Sequence, residues 1–375
     1  MDVIFFGGYD PAYPRNAVLR RGLELNGVRV SECQVRPGRR FWLRYPALLR
    51  RWLRRPKSQP SSPSVLFIPE FAQKDVPLAR LFAGLTSRCV VFDPLASRYE
   101  TKILDWRRKP EGSLSAWWNR LIDRWTFRSS DFLLADTQSH KDYYCREYGI
   151  EQNQIAVLAV GFDDRVFSKA LADVRTAHRA ARAPFTVLFF GSFLPLHGVD
   201  DVVEAARLVS KADRTVRFRL IGSGQTLGLV RARVAESGLA NVDFEGWLSP
   251  VELAERVAQT ADLCLGIFGH TGKAERVVPH KVFQAMALGK PVISARTPAI
   301  REFFSDRENI LLCRKEDPGS LAEAILELKR DPALRERIAQ KGRELVWEKY
   351  HPAALGAILK GLLEKVTEKD SGSRR

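Results

Sequence analysis

Short apolar runs recur along this chain, and each is separated from the next by a stretch long enough for a helix. Runs that are apolar throughout are typical of parallel strands buried on both faces of a sheet. Six precede an Ala/Arg-rich connection at residues 170–183, and six follow it. They lie at residues 1–6, Val28–Val35, Val65–Pro69, Cys89–Asp93, Phe132–Asp136, Ile155–Val160, Phe185–Phe190, Val216–Ile221, Val242–Phe244, Leu263–Ile267, Val292–Ser294 and Ile310–Cys313. The pattern predicts an α/β chain with one doubly wound parallel sheet in each half.

The length agrees with two domains, because 375 residues are more than one hydrophobic core usually organises. We expect a first domain at residues 1–178 and a second at residues 184–350. A helical pattern breaks at His351-Pro352, so residues 351–375 should form a last helix. Ligands of open α/β sheets bind outside the carboxyl ends of the strands, which predicts a functional cleft between the two domains.

The chain is strongly basic, with 60 Lys and Arg against 44 Asp and Glu and a net charge of +16. Residues 1–183 carry 31 basic and 19 acidic side chains, or +12, and the remainder carries 29 and 25, or +4. The first half should therefore face something anionic: a phosphorylated substrate, an anionic bilayer or nucleic acid. Nucleic acid ranks lowest, because no recognised binding module accompanies the charge.

Two features favour a cytoplasmic protein. The five cysteines are odd in number and scattered, which fits reduced thiols rather than a disulfide framework. No apolar run approaches the roughly 18 to 20 residues of a membrane span, and the N-terminus lacks the features of a signal peptide.

One segment, from Arg36 to Lys57, has nine basic residues and no acidic one. As a helix, residues 48–55 would place leucines and Trp52 on one side and arginines on the other. This amphipathic pattern favours docking on an anionic membrane. The predicted membrane-facing residues are Arg50, Arg51, Trp52, Arg54 and Arg55. The alternative is that the apolar side packs on the protein's own sheet. A second aromatic and basic stretch runs from Trp106 to Arg128.

Glycines follow several predicted strands where the chain turns toward a helix. Gly191 and Ser192 end one strand, Gly198 precedes a helix, and Gly222 ends the next strand. Such turns allow close backbone approach and offer free helix amides to a phosphate. They are equally compatible with ordinary strand–helix turns. Leu227 stands where the dinucleotide fingerprint needs its third glycine, which argues against NAD.

The densest group of polar residues lies just before and within a predicted helix at about residues 279–288. Lys273 and Arg276 precede it, and Lys281 and Gln284 share one of its faces because they are three residues apart. This face suits a phosphate at Lys281 and a sugar hydroxyl at Gln284. A solvated basic helix start is the alternative.

Three motifs together resemble glycosyltransferase family 4, and within it a bacterial branch. They are Phe-Phe-Gly-x-Tyr-Asp-Pro at Phe5–Pro11, Pro-Leu-His-Gly at Pro195–Gly198, and Lys-Ala-x-Arg-Val-x-Pro-x-Lys-Val within Lys273–Ile293. The resemblance covers essentially the whole chain. It implies the GT-B fold, with two Rossmann-like domains facing a central cleft and a last helix that returns to the first domain.

The resemblance also implies an activity. The protein would transfer a sugar from a nucleotide-diphosphate donor on the second domain to an acceptor on the first. The transfer would retain the anomeric configuration and need no metal. The acceptor would be a glycan or a lipid-linked molecule in bacterial cell-surface polysaccharide or glycoconjugate synthesis, at the inner face of the plasma membrane. No Asp-x-Asp motif occurs, and the six histidines show no metal-ligand spacing, which agrees with the expectation of no metal and no cofactor.

The site residues implied by the resemblance fall into three groups. The predicted donor-binding residues are Gly7, Gly8, Gly191, Ser192, Gly198, Gly222, Lys273, Arg276 and Gln284. The predicted catalytic residues are Asp93, His197 and Lys281. Tyr9 and Asp10 are placed on the acceptor side. Asp93 could instead cap the turn after its strand.

Four positions depart from the common family pattern. Ser192 and His197 stand where an Arg and a Lys are usual, and Arg276 and Gln284 replace a pair of glutamates. We infer that Arg276, Lys281 and Lys273 supply the missing phosphate-neutralising charge. The alternatives are a non-catalytic binding or scaffold protein and a sugar-nucleotide epimerase. The donor sugar, the base and the acceptor are not encoded in these motifs.

Overall fold

The computed structural model describes residues 1–38, 41–55, 64–86, 88–174 and 184–373. The chain divides into two compact units. The first combines Met1–Val160 with His351–Arg375, and the second is Gly161–Tyr350. Each unit is built on a six-stranded parallel sheet.

The strands of both sheets are short. They are β1 (Asp2–Gly8), β2 (Arg29–Val35), β3 (Ser64–Ile68), β4 (Cys89–Phe92), β5 (Phe132–Ala135), β6 (Ile155–Val157), β7 (Phe185–Phe190), β8 (Val216–Ile221), β9 (Val242–Glu245), β10 (Leu263–Leu265), β11 (Val292–Ala295) and β12 (Leu311–Cys313).

Helices connect most consecutive strands. They are α1 (Pro14–Leu25), α2 (Phe41–Arg54), α3 (Val76–Thr86), α4 (Leu114–Arg128), α5 (Gln138–Tyr148), α6 (Asp164–Val174), α7 (Val199–Ala212), α8 (Leu227–Glu236), α9 (Pro250–Thr260), α10 (Gly272–Arg276), α11 (His280–Ala287), α12 (Pro298–Phe303), α13 (Pro318–Arg330), α14 (Pro332–Lys349) and α15 (Pro352–Ser373).

The two doubly wound parallel sheets predicted from the apolar runs are confirmed. The strand order is β2-β1-β3-β4-β5-β6 in the first sheet and β12-β11-β10-β7-β8-β9 in the second. Every residue of β1 and β4 is buried, since these central strands have protein on both faces. This is why the runs are apolar throughout rather than alternating.

The strand order reverses beside β1 in the first sheet and beside β7 in the second. At such a reversal the connections leave toward opposite faces, and a crevice forms at the carboxyl edge. Gly7 and Gly8 end β1, and Gly191 follows β7. The topology therefore brings the predicted glycine turns to the two positions where this class of sheet binds ligands.

The boundary between the units lies at Val160, not at residue 178 as the sequence indicated. Residues 161–174 belong to the second unit, where α6 packs against α9. The fully buried Phe162 ring lies 4.9 Å from the ring of Trp347 on α14, centroid to centroid. This aromatic contact holds the connection on the second unit. Residues 175–183 lie outside the described part of the chain.

The last helix, α15, lies in the first unit and packs against α1. The two helices cross at Gly22 and Gly356, where an added Cβ at Gly356 would lie 2.1 Å from the Gly22 carbonyl carbon. Asn26 Nδ2 donates to the carbonyl of Ala353 (2.9 Å), and Lys360 Nζ donates to the carbonyl of Asn26 (3.1 Å). Glycine at the crossing allows this close approach of the two backbones.

The structure of helix α2 contradicts the prediction that Trp52 faces a membrane. Trp52 is only 8% exposed and stacks on Phe82, with 4.7 Å between ring centroids, so it is a core residue and not a membrane-facing one. Its neighbour Leu48 is fully buried. Arg50, Arg51 and Arg54 are exposed, whereas Arg55 is half-buried with its guanidinium 3.5 Å above the Trp52 ring. Part of the apolar side of α2 thus packs in the core of the first unit, whereas Leu49 and Leu53 of the same side are 44% and 74% exposed.

Candidate functional site

Three glycine turns define the carboxyl edge of the second sheet. A Cβ at Gly222 would lie 2.0 Å from the Gly191 carbonyl oxygen, and a Cβ at Gly198 would lie 2.4 Å from the backbone of Phe268. All three glycines also have positive φ, at +129° for Gly191, +133° for Gly222 and +59° for Gly198. Close contact between loops therefore requires these glycines. The chemistry of the edge comes from the side chains beside them.

Lys281 is the most unusual of those side chains. It is 5% exposed, and its Nζ lies 3.8 Å from the centroid of the Phe189 ring. Within the described residues, no acceptor hydrogen-bonds this ammonium. Burial lowers the pKa of Lys281 well below its ordinary value. A buried ammonium without an acceptor is costly unless an anion accompanies it. The geometry therefore suits an anion beside Gly191, whose approach would favour the charged form of Lys281.

His197 lies on the same edge and is buried. Its Nδ1 is hydrogen-bonded to the carbonyl oxygen of Ser192. Because a carbonyl can only accept, Nδ1 carries the proton and Nε2 is left as an acceptor in the neutral ring. Burial, and then the charges of Lys281 and Lys273, lower the pKa of His197 well below its ordinary value. The neutral ring fixes the turn between residues 192 and 197 rather than adding positive charge.

The other predicted donor-binding side chains lie on α10 and α11. Lys273 is buried, and its charge acts on His197. Arg276 is half-buried and ends α10, near Gly272, whose Cβ would lie 3.1 Å from Nη2. Gln284 is half-buried, one turn after Lys281 on α11. The structure thus brings Lys273, Lys281 and His197 together.

Helix α7 begins at this edge. Gly198 is its N-cap and supplies no side chain to cap the first amides. The two acidic residues of its first turn are paired: Asp200 with Arg233 (3.3 Å) and Asp201 with Nε2 of His270 (2.7 Å). Their charge is partly compensated, so the helix N-terminus still favours an anion.

In the first unit, the glycine turn after β1 is occupied by a protein carboxylate. The Gly8 amide donates to Oδ2 of Asp75 (2.8 Å), and Arg44 donates to Oδ1 of the same group (2.8 Å). A Cβ at Gly7 would lie 3.1 Å from Asp75 Oδ2. The Gly8 amide is therefore engaged within the protein, and this geometry does not favour its predicted role as a donor-phosphate ligand.

The two predicted acceptor-side residues differ in access. Tyr9 is buried, and its carbonyl accepts from Nε2 of Gln34 (2.8 Å). Asp10 is exposed, and its Oδ1 accepts from the Ala12 amide (3.0 Å). Of the pair, Asp10 is the one that solvent reaches.

Asp93 is fully buried in an ion pair. Arg15 donates to both of its carboxylate oxygens (2.6 and 2.9 Å) and to the carbonyls of Leu158 and Ala159 (3.0 Å each). Arg15 is itself fully buried. Such a pair ties β4 to the chain after β6. The geometry favours this structural role over the predicted contact with a sugar hydroxyl.

Sequence reasoning missed two polar groups at the carboxyl edge of the first sheet. Glu70 follows β3 and is 4% exposed. His140 bridges two buried carboxylates, with Nδ1 at 2.6 Å from Asp136 and Nε2 at 2.9 Å from Glu100. Burial alone lowers the pKa of His140, but Glu100 and Asp136 more than offset this and raise it to about 9. Carboxylates directly after apolar runs were the available signal.

Two further observations concern metals and membranes. Among the described residues, no group of three or more His, Cys, Asp and Glu side chains is arranged to hold a metal ion. Within the same part of the chain, no helix has the length and apolar character needed to cross a bilayer.

Comparison with protein families agrees with the fold. Residues 1–161 match the family described as "Glycosyl transferase 4-like domain", and residues 173–345 match "Glycosyl transferases group 1". The chain therefore carries a glycosyl transferase 4-like domain followed by a glycosyl transferases group 1 domain, each matched over a little less than half of its length, and its fold is that of GT-B glycosyltransferase structures.

The individual relatives share only limited sequence identity with this chain. An uncharacterised glycosyltransferase of Methanocaldococcus jannaschii is 30% identical over 43% of this chain and 44% of its own. A putative colanic acid biosynthesis glycosyltransferase, WcaL of Salmonella typhimurium, is 26% identical over 59% of this chain and 53% of its own. The chain spans about half the length of the curated relatives it matches. The crystal structure of Anabaena HepE in complex with UDP and glucose has a TM-score of 0.70 at 16% identity, over 97% of this chain and 100% of that one.

Proposed function

We propose that this chain transfers a sugar from a nucleotide-diphosphate donor to a glycan or lipid-linked acceptor in bacterial surface polysaccharide or glycoconjugate synthesis. The observation that carries the proposal is the Lys281 ammonium, buried at the carboxyl edge of the second sheet without an acceptor among the described residues. HepE, with the same fold, was crystallised with UDP and glucose, and the Salmonella relative is named for colanic acid biosynthesis.

In this proposal the second unit binds the diphosphate. Lys281 and the first amides of α7 lie where they can meet the negative charge that develops on the leaving nucleotide. Lys273 and Arg276 add positive charge on α10. The Gln284 amide hydrogen-bonds a hydroxyl group of the sugar. His197 acts as a positioning residue through its bond to Ser192. Because these cations are protein groups, we propose transfer without a metal, and with the retention that the motif resemblance implies.

We further propose that the protein is cytoplasmic and docks on the inner face of the membrane through α4. Trp117, Trp118 and Trp125 are 61%, 55% and 49% exposed, and they share one helix face with Leu114 and Leu121. The opposite face is buried and largely polar, including Asn119 and Asp123. This arrangement inverts the usual orientation of an amphipathic helix.

Charge supports the same partner. Arg120, Arg124 and Arg128 are exposed on α4, where Arg120 pairs with Glu147 (2.5 Å), and the one acidic residue of the helix, Asp123, is buried. An apolar aromatic stripe flanked by arginines matches the interface of an anionic bilayer, where tryptophan lies at the headgroups.

The test is activity against a panel of UDP-, GDP-, ADP- and dTDP-sugars in the presence of EDTA. We expect thermal stabilisation and slow nucleotide release with one donor, and a product whose anomeric configuration, read by NMR, matches the donor. Interconversion of the free sugar nucleotide without release would indicate the epimerase. A folded protein that binds none of the donors would favour the scaffold alternative and contradict the proposal.

A further inference from the structure

Two buried polar atoms without a hydrogen-bond partner belong to side chains that are hydrogen-bonded to each other at the carboxyl edge of the first sheet, outside the groups assigned above. They are Oε2 of Glu70, which follows β3, and Oδ1 of Asn16 on α1. No hydrogen-bond donor among the described residues reaches either atom. Both residues are almost fully buried, at 4% and 1% exposure. A buried polar atom without a partner is uncommon in native proteins and points to a ligand.

The orientation of these two groups is fixed. Asn16 Nδ2 donates both to Oε1 of Glu70 and to the carbonyl of Asp10, each at 2.8 Å. Since both partners can only accept, the amide nitrogen must face them, and the amide oxygen faces away. The Asp10 loop, α1 and the end of β3 are thereby joined around one carboxylate and one amide oxygen.

An exposed aromatic side chain directly follows Glu70 in the chain. Phe71, the residue after Glu70, is 51% exposed and holds a left-handed conformation with φ of +57°. Its ring packs edge-on against Tyr13, at 5.9 Å between centroids. A non-glycine residue in this conformation is strained, and such strain concentrates at binding sites.

The set of groups defines the ligand. Oδ1 of Asn16 is a fixed acceptor, and Oε2 of Glu70 accepts when the carboxyl is ionised and donates when it is protonated, so the pair suits hydroxyl groups, which both donate and accept. An exposed ring beside them suits a ligand with one apolar face and a polar edge, as a pyranose has. Burial, reinforced by the charge of Asp93, raises the pKa of Glu70 to about 8, so near neutral pH this carboxyl exchanges between an ionised form that accepts and a protonated form that donates.

We propose that Glu70 and Asn16, with the ring of Phe71, form a subsite for a sugar residue of the acceptor. The inference rests on the proposed function and adds the acceptor's chemical class: a saccharide that presents two neighbouring hydroxyls. A soluble glycan and the head of a glycolipid share this chemistry.

The experiment is saturation-transfer NMR with two sets of probes. One is a panel of soluble methyl glycopyranosides and short oligosaccharides, and the other is vesicles that carry dialkyl glycosides. For the saccharide that binds, we expect Glu70→Gln and Phe71→Gly to weaken binding about tenfold or more. Glu24→Gln, at an exposed position of α1, is the matched control and should bind as the unmodified protein does. Binding only to the vesicles would assign the subsite to a glycolipid.

Folding and nucleotide binding are measured on the same variants. Gln preserves the shape at residue 70, and Gly suits the backbone of residue 71, so both variants should keep the melting temperature and bind nucleoside diphosphate unchanged. Undiminished saccharide binding by both variants, or no saccharide binding by a chain that binds nucleotide, would overturn the subsite alone. Failure of the unmodified chain to bind any nucleoside diphosphate would instead overturn the proposed function.

Discussion

At the scale of single residues, two buried basic side chains differ in whether the protein supplies them with partners. Arg15 is fully buried, but its guanidinium is satisfied by Asp93 and by two backbone carbonyls. Lys281 is almost as deeply buried, and its ammonium has no acceptor among the described residues. A paired buried charge ties elements together, whereas an unpaired one is stabilised only when an anion arrives.

The unpaired lysine predicts that nucleotide binding is linked to proton uptake. Burial lowers the pKa of Lys281, and burial with the charges of Lys281 and Lys273 lowers that of His197. A bound diphosphate favours the charged forms, so both pKa values should rise and protons should be taken up. Calorimetry of nucleoside diphosphate binding in buffers of different ionisation enthalpy should show net uptake near neutral pH, with affinity decreasing as pH rises. Binding without proton exchange would contradict this linkage.

Sequence reasoning proposed site residues from motifs and failed where packing decides. Lys281 was proposed from its motif and from the helix face that it shares with Gln284, and the structure shows it buried beside Gly191. Trp52 was assigned to the wrong surface, because periodicity shows that a helix has an apolar side but not what covers it. Asp93 was singled out and Glu70 passed over, although both follow strands. Only Arg15, 78 positions away from Asp93 in sequence, distinguishes an engaged carboxylate from one with a free oxygen.

At the scale of elements, α2 and α4 differ in what they expose, although both are aromatic and basic segments of the kind that suits docking on an anionic membrane. Leu48 and Trp52 of α2 pack in the core of the first unit, whereas Leu49 and Leu53 of the same helix stay exposed. Helix α4 buries a polar face, where Asp123 accepts from the amides of Arg98 (3.0 Å) and Tyr99 (2.7 Å). The tryptophans of α4 therefore lie on its exposed face.

We predict that the tryptophans of α4 mediate docking on the membrane. Replacing Trp117, Trp118 and Trp125 by Ser should weaken sedimentation with phosphatidylglycerol-containing vesicles about tenfold or more, because their apolar area no longer enters the interface. Stability should change little, since these side chains are exposed. Trp247→Ser, at a 69% exposed position in the second unit, is the matched control. Equal vesicle binding by the triple variant would exclude α4 as the docking element.

At the scale of the whole molecule, the first and last segments of the chain belong to the same unit. The last helix, α15, lies in the first unit, and its crossing with α1 depends on two glycines in contact. The predicted alternation of strands and helices gave both sheets correctly, because each sheet is covered on both faces. The boundary at Val160 was not predictable, since Phe162 and Trp347 meet only in the folded chain.

We predict opposite effects for two glycine substitutions in α15. Gly356→Ala should destabilise the first unit by about 2 kcal/mol or more, because its Cβ would overlap the backbone of Gly22. Gly361→Ala should stabilise the same helix by about 1 kcal/mol, since no atom lies within 4 Å of the added Cβ and Ala favours helix. Calorimetric unfolding of both variants checks this. Equal effects would show that the crossing does not constrain the fold.

The measurement that tests the central claim most directly is the affinity of the Lys281→Met variant for the preferred nucleoside diphosphate and for its nucleoside. The account predicts a loss of about 10- to 100-fold for the diphosphate, no change for the nucleoside, and an intact fold. Lys290→Met is the control, because Lys290 donates to the carbonyls of Ala258 (2.7 Å) and Ala261 (2.9 Å); this variant should lose stability and keep nucleotide affinity. If Lys281→Met binds the diphosphate as tightly as the unmodified chain does, the site is not where we place it.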